Sequence, residues 1–138
     1  MHQYLDLRQV YPSSYGEILP DNFLWFYYLQ PTPLSPKYKI KVTCADRANG
    51  LYRPIVFVKK PLPLQLAKGK DKLPHVYDNK KQQICLYEWK KEQWDCSMRI
   101  SQTIVPWAAE WLYFYEIWVI TGEWLGGGHG DDLPQQEI

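Results

Sequence analysis

The segment Pro74-His75-Val76-Tyr77-Asp78-Asn79-Lys80-Lys81-Gln82-Gln83-Ile84-Cys85-Leu86, PHVYDNKKQQICL, decides how the chain is read. Its middle is made of turn formers, and it closes on a cysteine held between two aliphatic residues. Asp78-Asn79 is turn chemistry, because both side chains can hydrogen-bond their own backbone. Cys85 has two readings. Free cysteine is among the most buried residue types and packs as a small hydrophobe. A thiol fixed at the end of a polar loop is also placed for use as a nucleophile.

Upstream of this segment the patterning is that of strands. Phe23 to Leu29, FLWFYYL, is a run of aromatics bounded by turn residues, which predicts a strand. Three prolines in QPTPLSP then break it. Tyr38, Ile40, Val42 and Cys44 alternate with Lys39, Lys41 and Thr43, a period of two that predicts one dry face and one wet one. Cys44 falls on the dry face, so burial is its expected role. DRANG, 46–50, predicts a turn, and IVFV, 55–58, a third strand. The proline-bearing, charged stretch from Lys59 to Pro74 predicts an irregular loop, with the basic cluster KGKDK as its solvated part. Strands in succession with short turns form an antiparallel meander. Residues 1–20 carry little pattern: Leu5, Leu7 and Val10 fit one short helical turn, and Pro12, Gly16 and Pro20 stop anything longer.

Downstream, Ile104, Ala108, Trp111, Leu112, Tyr115, Trp118 and Val119 repeat at helical spacing, which predicts a long helix over about 101–120 with a broad apolar stripe. Pro106 is harmless only in the first turn, so Thr103 is the expected cap. Gly122 ends the helix, and residues 122–138 are expected to form a flexible Gly-rich C-terminal tail of a single 1–138 domain. The layout is α+β.

Sixteen basic residues against fifteen acidic ones give a net charge of +1, which argues against an electrostatic nucleic-acid binder. Glu110 and Glu116 interrupt the most apolar stretch, making it a poor membrane span. The start of the chain lacks the basic-then-apolar pattern of a secretory signal. The expectation is a cytoplasmic protein with no nucleic-acid or membrane partner. Three cysteines, Cys44, Cys85 and Cys96, follow no CxxC spacing, so neither a disulfide framework nor a zinc ribbon is expected, and no cofactor or metal is. Seven Trp, eleven Tyr and four Phe fill a core or line a binding surface.

Together these features resemble the ubiquitin-conjugating enzymes. In that family a meander is followed by a histidine, then ten residues later by the catalytic cysteine in an Ile-Cys-Leu triplet, a tryptophan, and a helix. Here His75 precedes Cys85 by ten residues within Ile84-Cys85-Leu86, Trp94 follows by nine, and Arg99-Ile100-Ser101 leads into the helix. Tyr52-Arg53-Pro54-Ile55-Val56-Phe57 is similar to the family's proline-led third strand. The resemblance covers about residues 23–119. It implies a ubiquitin-conjugating-enzyme-like fold with an antiparallel β-meander packed against one long helix and the terminal helices truncated, the N-terminal one to about a turn. It further resembles the small ubiquitin-conjugating-like proteins of bacterial CBASS antiphage operons, whose partner is a cGAS-like nucleotidyltransferase.

That resemblance implies a cysteine acyl-transferase: Cys85 forms a thioester with a partner's C-terminus, the partner being the nucleotidyltransferase, with other target proteins as further candidates. The family's Pro-Asn after the histidine is replaced by Val76-Tyr77, so the asparagine that stabilises the oxyanion is missing. Tyr77 and Asn79 are the candidates to replace it. His75 is expected to fix the loop or to assist directly, Lys80 and Lys81 to favour the thiolate, and His129 to fold back over the sulfur as an acid-base group. Cys96 is a candidate resolving thiol or metal partner for Cys85 and His75. The alternative is a non-catalytic binding module of the same fold that docks and regulates the nucleotidyltransferase. An enzyme requires the sulfur of Cys85 to be accessible.

Overall fold

A computed structural model of the chain describes residues 2–46, 52–88, 91 and 93–127. The elements in order are α1 (His2–Val10), β1 (Tyr15–Leu19), β2 (Asn22–Leu29), β3 (Tyr38–Asp46), β4 (Tyr52–Lys60), β5 (Val76–Asp78), β6 (Gln83–Ile84), a short 3-10 helix (Ile100–Gln102) and α2 (Ile104–Thr121). Six strands form one antiparallel sheet in the order β1-β2-β3-β4-β6-β5. The fold is α+β, as expected. The expected strands over 23–29, 38–44 and 55–58 lie within β2, β3 and β4. The expected turn over 46–50 falls, past Asp46, outside the described residues.

The alternation seen in the sequence becomes the core. Trp25 pairs with Val42, Val42 with Val56, Val56 with Ile84, and Ile84 with Val76. All five are buried, so one register row carries the dry face across five strands. A one-residue slip anywhere would turn that face to water. Each such aliphatic side chain contributes about 1.5–3 kcal/mol by its burial. The row fixes Ile84, and with it the position of Cys85 one residue on.

Against this face lies α2, through Ile104, Val105, Ala108, Trp111, Leu112, Tyr115 and Trp118, all buried. The helix starts three residues later than the sequence spacing places it, because Ile100–Gln102 takes the tighter 3-10 form. Thr103 is the N-cap residue, but its hydroxyl does not cap. It donates to the Arg99 carbonyl (2.7 Å) and accepts from Trp94 Nε1 (3.0 Å). Gly122 closes the helix in the left-handed conformation, φ 81°, with its N–H donating to the Trp118 carbonyl (2.7 Å). A side chain there would be strained.

Two elements depart from expectation. The N-terminal helix is not cut to about one turn; α1 has nine residues. Its own amphipathicity is weak, with only Tyr4 and Leu7 buried, and it persists because it is tied to the lead-in of α2. Gln3 Nε2 donates to the Met98 carbonyl (2.8 Å), and Gln3 Oε1 accepts from Ile100 N–H (2.9 Å). Asp6 pairs with Arg99 (Nη2 to Oδ1, 2.6 Å) and accepts from the Ser101 hydroxyl. The second departure is β1, an edge strand with no buried residue and so no alternation to read. It approaches β2 so closely that a Cβ on Gly16 would stand 2.0 Å from the Leu24 carbonyl oxygen, which no side chain tolerates.

The Asp6 tie gives a pH prediction. Hydrogen bonding from Arg99 holds the Asp6 carboxyl below its ordinary value of 3.8. The stability it contributes is therefore present above that value and lost as pH falls through the lowered one. Protection of the α1 amides, measured against the intrinsic exchange rate at the same pH, should fall below about pH 4 in the natural protein. It should already be low at neutral pH in Asp6→Asn.

The stretch 61–75 has no regular secondary structure, as expected, but it is packed. Leu64, Ala67 and Leu73 are buried, and the Tyr115 hydroxyl donates to the Gln65 carbonyl (2.6 Å). Lys68, Lys70 and Lys72 of KGKDK are exposed. Among the described residues no helix is long and apolar enough to cross a membrane.

Candidate active site

Residues 76–84 form a short hairpin, β5 and β6, strained at the residue before each strand: His75 has φ 46° and Gln82 φ 55°. Left-handed backbone costs a non-glycine residue roughly 1 kcal/mol and persists only where neighbours fix it. At Gln82 the fixing groups are its own amide. Oε1 accepts from Leu64 N–H (2.8 Å), while Nε2 donates to the Val58 and Pro61 carbonyls (2.9 and 3.1 Å). At His75 the carbonyl does the work, accepting from Cys85 N–H (3.0 Å) and from Trp111 Nε1 (3.0 Å). The histidine thus ties the Cys85 backbone to α2 through its main chain.

The Cys85 thiol donates to the Tyr87 carbonyl over 3.8 Å. The Tyr77 hydroxyl donates to that same carbonyl at 2.6 Å and lies within hydrogen-bonding reach of the sulfur. The Tyr87 hydroxyl in turn donates to the Pro54 carbonyl (2.6 Å). Sulfur, carbonyl and phenol therefore converge, held by β4 behind and the hairpin in front. It is Tyr77 that brings a hydroxyl to the thiol.

The expectation of an accessible sulfur is corrected. Cys85 is 7% exposed, beneath α2 and the segment that follows it. Its cleft is lined by His75, Leu86, Trp107, Trp111, Phe114 and Trp124 among others, and the cavity left inside it is about 10 Å³. That is near the smallest space that holds one water. Burial pushes the thiol up to about 11, the Tyr77 hydrogen bond pulling the other way and the Glu88 carboxylate adding to the rise. In this arrangement Cys85 is a protonated thiol at neutral pH. Burial also lowers the His75 imidazole from its ordinary 6.5, so the ring is neutral there. It stacks on the Trp124 indole with centroids 5.0 Å apart and planes 20° off parallel.

The other expected participants lie elsewhere or outside view. Asn79 Oδ1 accepts from Leu73 N–H (2.7 Å), so that side chain secures the loop, and Asn79 does not line the cleft. Lys80 and Lys81 are exposed at the hairpin turn, and neither is among the groups that shift the thiol. Cys96 is exposed and Cys44 buried. Both line a separate 190 Å³ cavity between α1, the β1–β2 turn and Trp94, so Cys96 does not join Cys85 and His75. Burial raises the Cys44 thiol to about 12, in keeping with its structural role. His129 lies outside the described residues. The aromatic group that covers the sulfur is Trp124, for which the sequence offered only a signal shared with the core: a large ring just after the helix stop. Tyr87 was missed because its role is played by a main-chain carbonyl, which no residue type announces.

Tyr77 has a single proton. It goes to the Tyr87 carbonyl while the sulfur is protonated, and it can turn to the sulfur once a thiolate forms. A hydrogen bond to a charged group is worth about 1.5–3 kcal/mol, and about 1.4 kcal/mol corresponds to one pKa unit. Tyr77→Phe should therefore move the pH midpoint of Cys85 alkylation upward by about one unit. An unmoved midpoint would show that the phenol does not act on the sulfur.

A family model described as Type II CBASS E2 protein matches residues 3–132. No curated protein matches the chain.

Proposed function

Since the chain belongs to the type II CBASS E2 family, an E2-like component of antiphage systems, we propose that it is a cysteine acyl-transferase with Cys85 as the nucleophile. The fold is then a pared-down ubiquitin-conjugating one. The observation that carries the reading is the convergence of Cys85 Sγ and the Tyr77 hydroxyl on the Tyr87 carbonyl, on a backbone clamped through His75 to α2. Covalent catalysis needs a sulfur held this rigidly, so that one acyl exchange is split into two easier steps.

In the first step the thiolate attacks the carbonyl carbon of an activated C-terminal acyl group on a partner protein. The C–S bond forms, and the activating group leaves with the electron pair of the bond that breaks. In the second step a nucleophile on the acceptor attacks the thioester, and sulfur departs as thiolate. Tyr77 donates to the developing oxyanion or to the departing sulfur, the task an asparagine performs in the wider family. His75 is a positioning residue that acts through its carbonyl. The partner is a cGAS-like nucleotidyltransferase, whose C-terminus supplies the acyl group. The test is to mix the protein with that partner, its C-terminus activated beforehand as an alkyl thioester, and look on gels for an adduct that a thiol reductant removes.

The burial of Cys85 and its raised pKa favour a second reading, a binding module in which the thiol merely packs. The two separate on chemistry once the thiol is reachable. If Cys85 forms no adduct with an activated partner C-terminus even where it is readily alkylated, the module reading stands.

A further inference from the structure

The residues that close the Cys85 cleft come from the end of the described chain. Trp124 stacks on His75 and also packs against Trp111 (centroids 5.6 Å) and Phe114 (6.2 Å). Gly126 folds back against it so tightly that a Cβ there would stand 2.9 Å from Trp124 Cζ2 and 3.0 Å from the Phe114 ring. Trp124 and Gly126 both line the cavity that contains the sulfur.

The attachment is apolar only. Residues 123–127 have no regular secondary structure, and among the described residues no hydrogen bond runs from 124–127 to the body of the protein. The Trp124 Nε1 is itself buried without an acceptor. An indole N–H normally finds a partner when buried, and leaving one unmet opposes the closed arrangement. Opening would return that N–H to water. By contrast the floor of the cleft, the Cys85 N–H and the Trp111 indole, is hydrogen-bonded to His75. A firmly bonded floor under a loosely held cover is the arrangement of a part that moves.

We propose that residues 123–127 are an autoinhibitory cover that occupies the Cys85 cleft, and that Trp124 must leave it before any other chain can reach the sulfur. The occupant that replaces it is an extended peptide end with small residues beside an apolar one, the character of Trp124-Leu125-Gly126-Gly127 itself. This extends the acyl-transfer reading to its control. Its test reads thiol access alone, so either idea can fail without the other.

The experiment follows iodoacetamide alkylation of the full chain by peptide mass, comparing the natural protein with Trp124→Ala. Cys85 should react at least about tenfold faster in the variant, because the closed population no longer protects it. Cys44, buried under the sheet, should not change and reports general unfolding. Should the alanine variant fail to fold, Trp124→Leu keeps apolar bulk and is expected to raise the Cys85 rate by a smaller factor. An unchanged Cys85 rate in the folded variant would overturn the proposal. So would a rise in which Cys44 keeps pace with Cys85.

Discussion

Replacing Cys85 with alanine is expected to abolish completely the proposed thiol-sensitive adduct with an activated cGAS-like nucleotidyltransferase C-terminus, whereas Cys44→Ala and Cys96→Ala should leave it intact. The contrast follows from where the three sulfurs sit. Cys44 lies on the dry face of β3, with its thiol raised by burial to about 12. Cys96 is exposed at a cavity that does not contain Cys85. Only Cys85 has a phenol and a fixed carbonyl brought to it. Loss of one sulfur from a packed site costs stability of about 1 kcal/mol, so the variant should remain folded, and a cooperative melt lowered by only a few degrees would confirm that lost adduct means lost chemistry. Adduct persisting in Cys85→Ala would remove Cys85 from the mechanism. Adduct lost in Cys96→Ala alone would move the chemistry to the other cavity.

The largest effect on stability is expected at Gln82. This residue is 2% exposed, and its amide meets one backbone donor and two backbone acceptors. Truncation to alanine leaves all three buried groups without that partner, at about 1 kcal/mol or more each. We expect a loss of about 3–4 kcal/mol, which for a domain of this size lowers Tm by about 10 °C. Two further variants separate the causes. Gln82→Met keeps the volume but not the bonds and should lose nearly as much. Gln82→Gly relieves the left-handed backbone, so it should lose slightly less than alanine. Thermal melts of the three would check this; a methionine variant as stable as the natural protein would show that packing, not hydrogen bonding, holds the loop. Because the same residue anchors Leu64 and adjoins the pairing of β6 with β4, its loss should also raise Cys85 reactivity.

The strands β2 to β4 and the helix α2 were legible because each repeats apolar residues at its own period and buries one face. The hairpin before Cys85 was read only as turn-forming sequence, since strands of three and two residues carry no period. The nine-residue α1 and the edge strand β1 escaped for a common reason. Neither has a pattern of its own: α1 is held by contacts distant in sequence, Gln3 and Asp6 to 98–101, and β1 by its hairpin pairing with β2. At the site, the residue spacing found Cys85, His75 and Tyr77, which the structure brings together. It could not show that His75 acts through its carbonyl, nor that the thiol is covered. Lys80 and Lys81 illustrate the hazard of sequence distance: four and five residues from the cysteine, they point to the turn side of the hairpin and leave the sulfur to Tyr77 and Glu88.

The proposed chemistry makes a bond between the sulfur of Cys85 and the terminal carbonyl of another protein, and mass mapping of that bond is the direct test. The protein is combined with a cGAS-like nucleotidyltransferase whose C-terminus has been activated beforehand as an alkyl thioester, quenched in acid and digested without reductant. The expected product is the Cys85 peptide joined to the partner's C-terminal peptide, with the mass of both less one water, and split by hydroxylamine at neutral pH. A linkage that still forms in Cys85→Ala, or an unmodified Cys85 in a sample where the activated partner is fully bound, would contradict it.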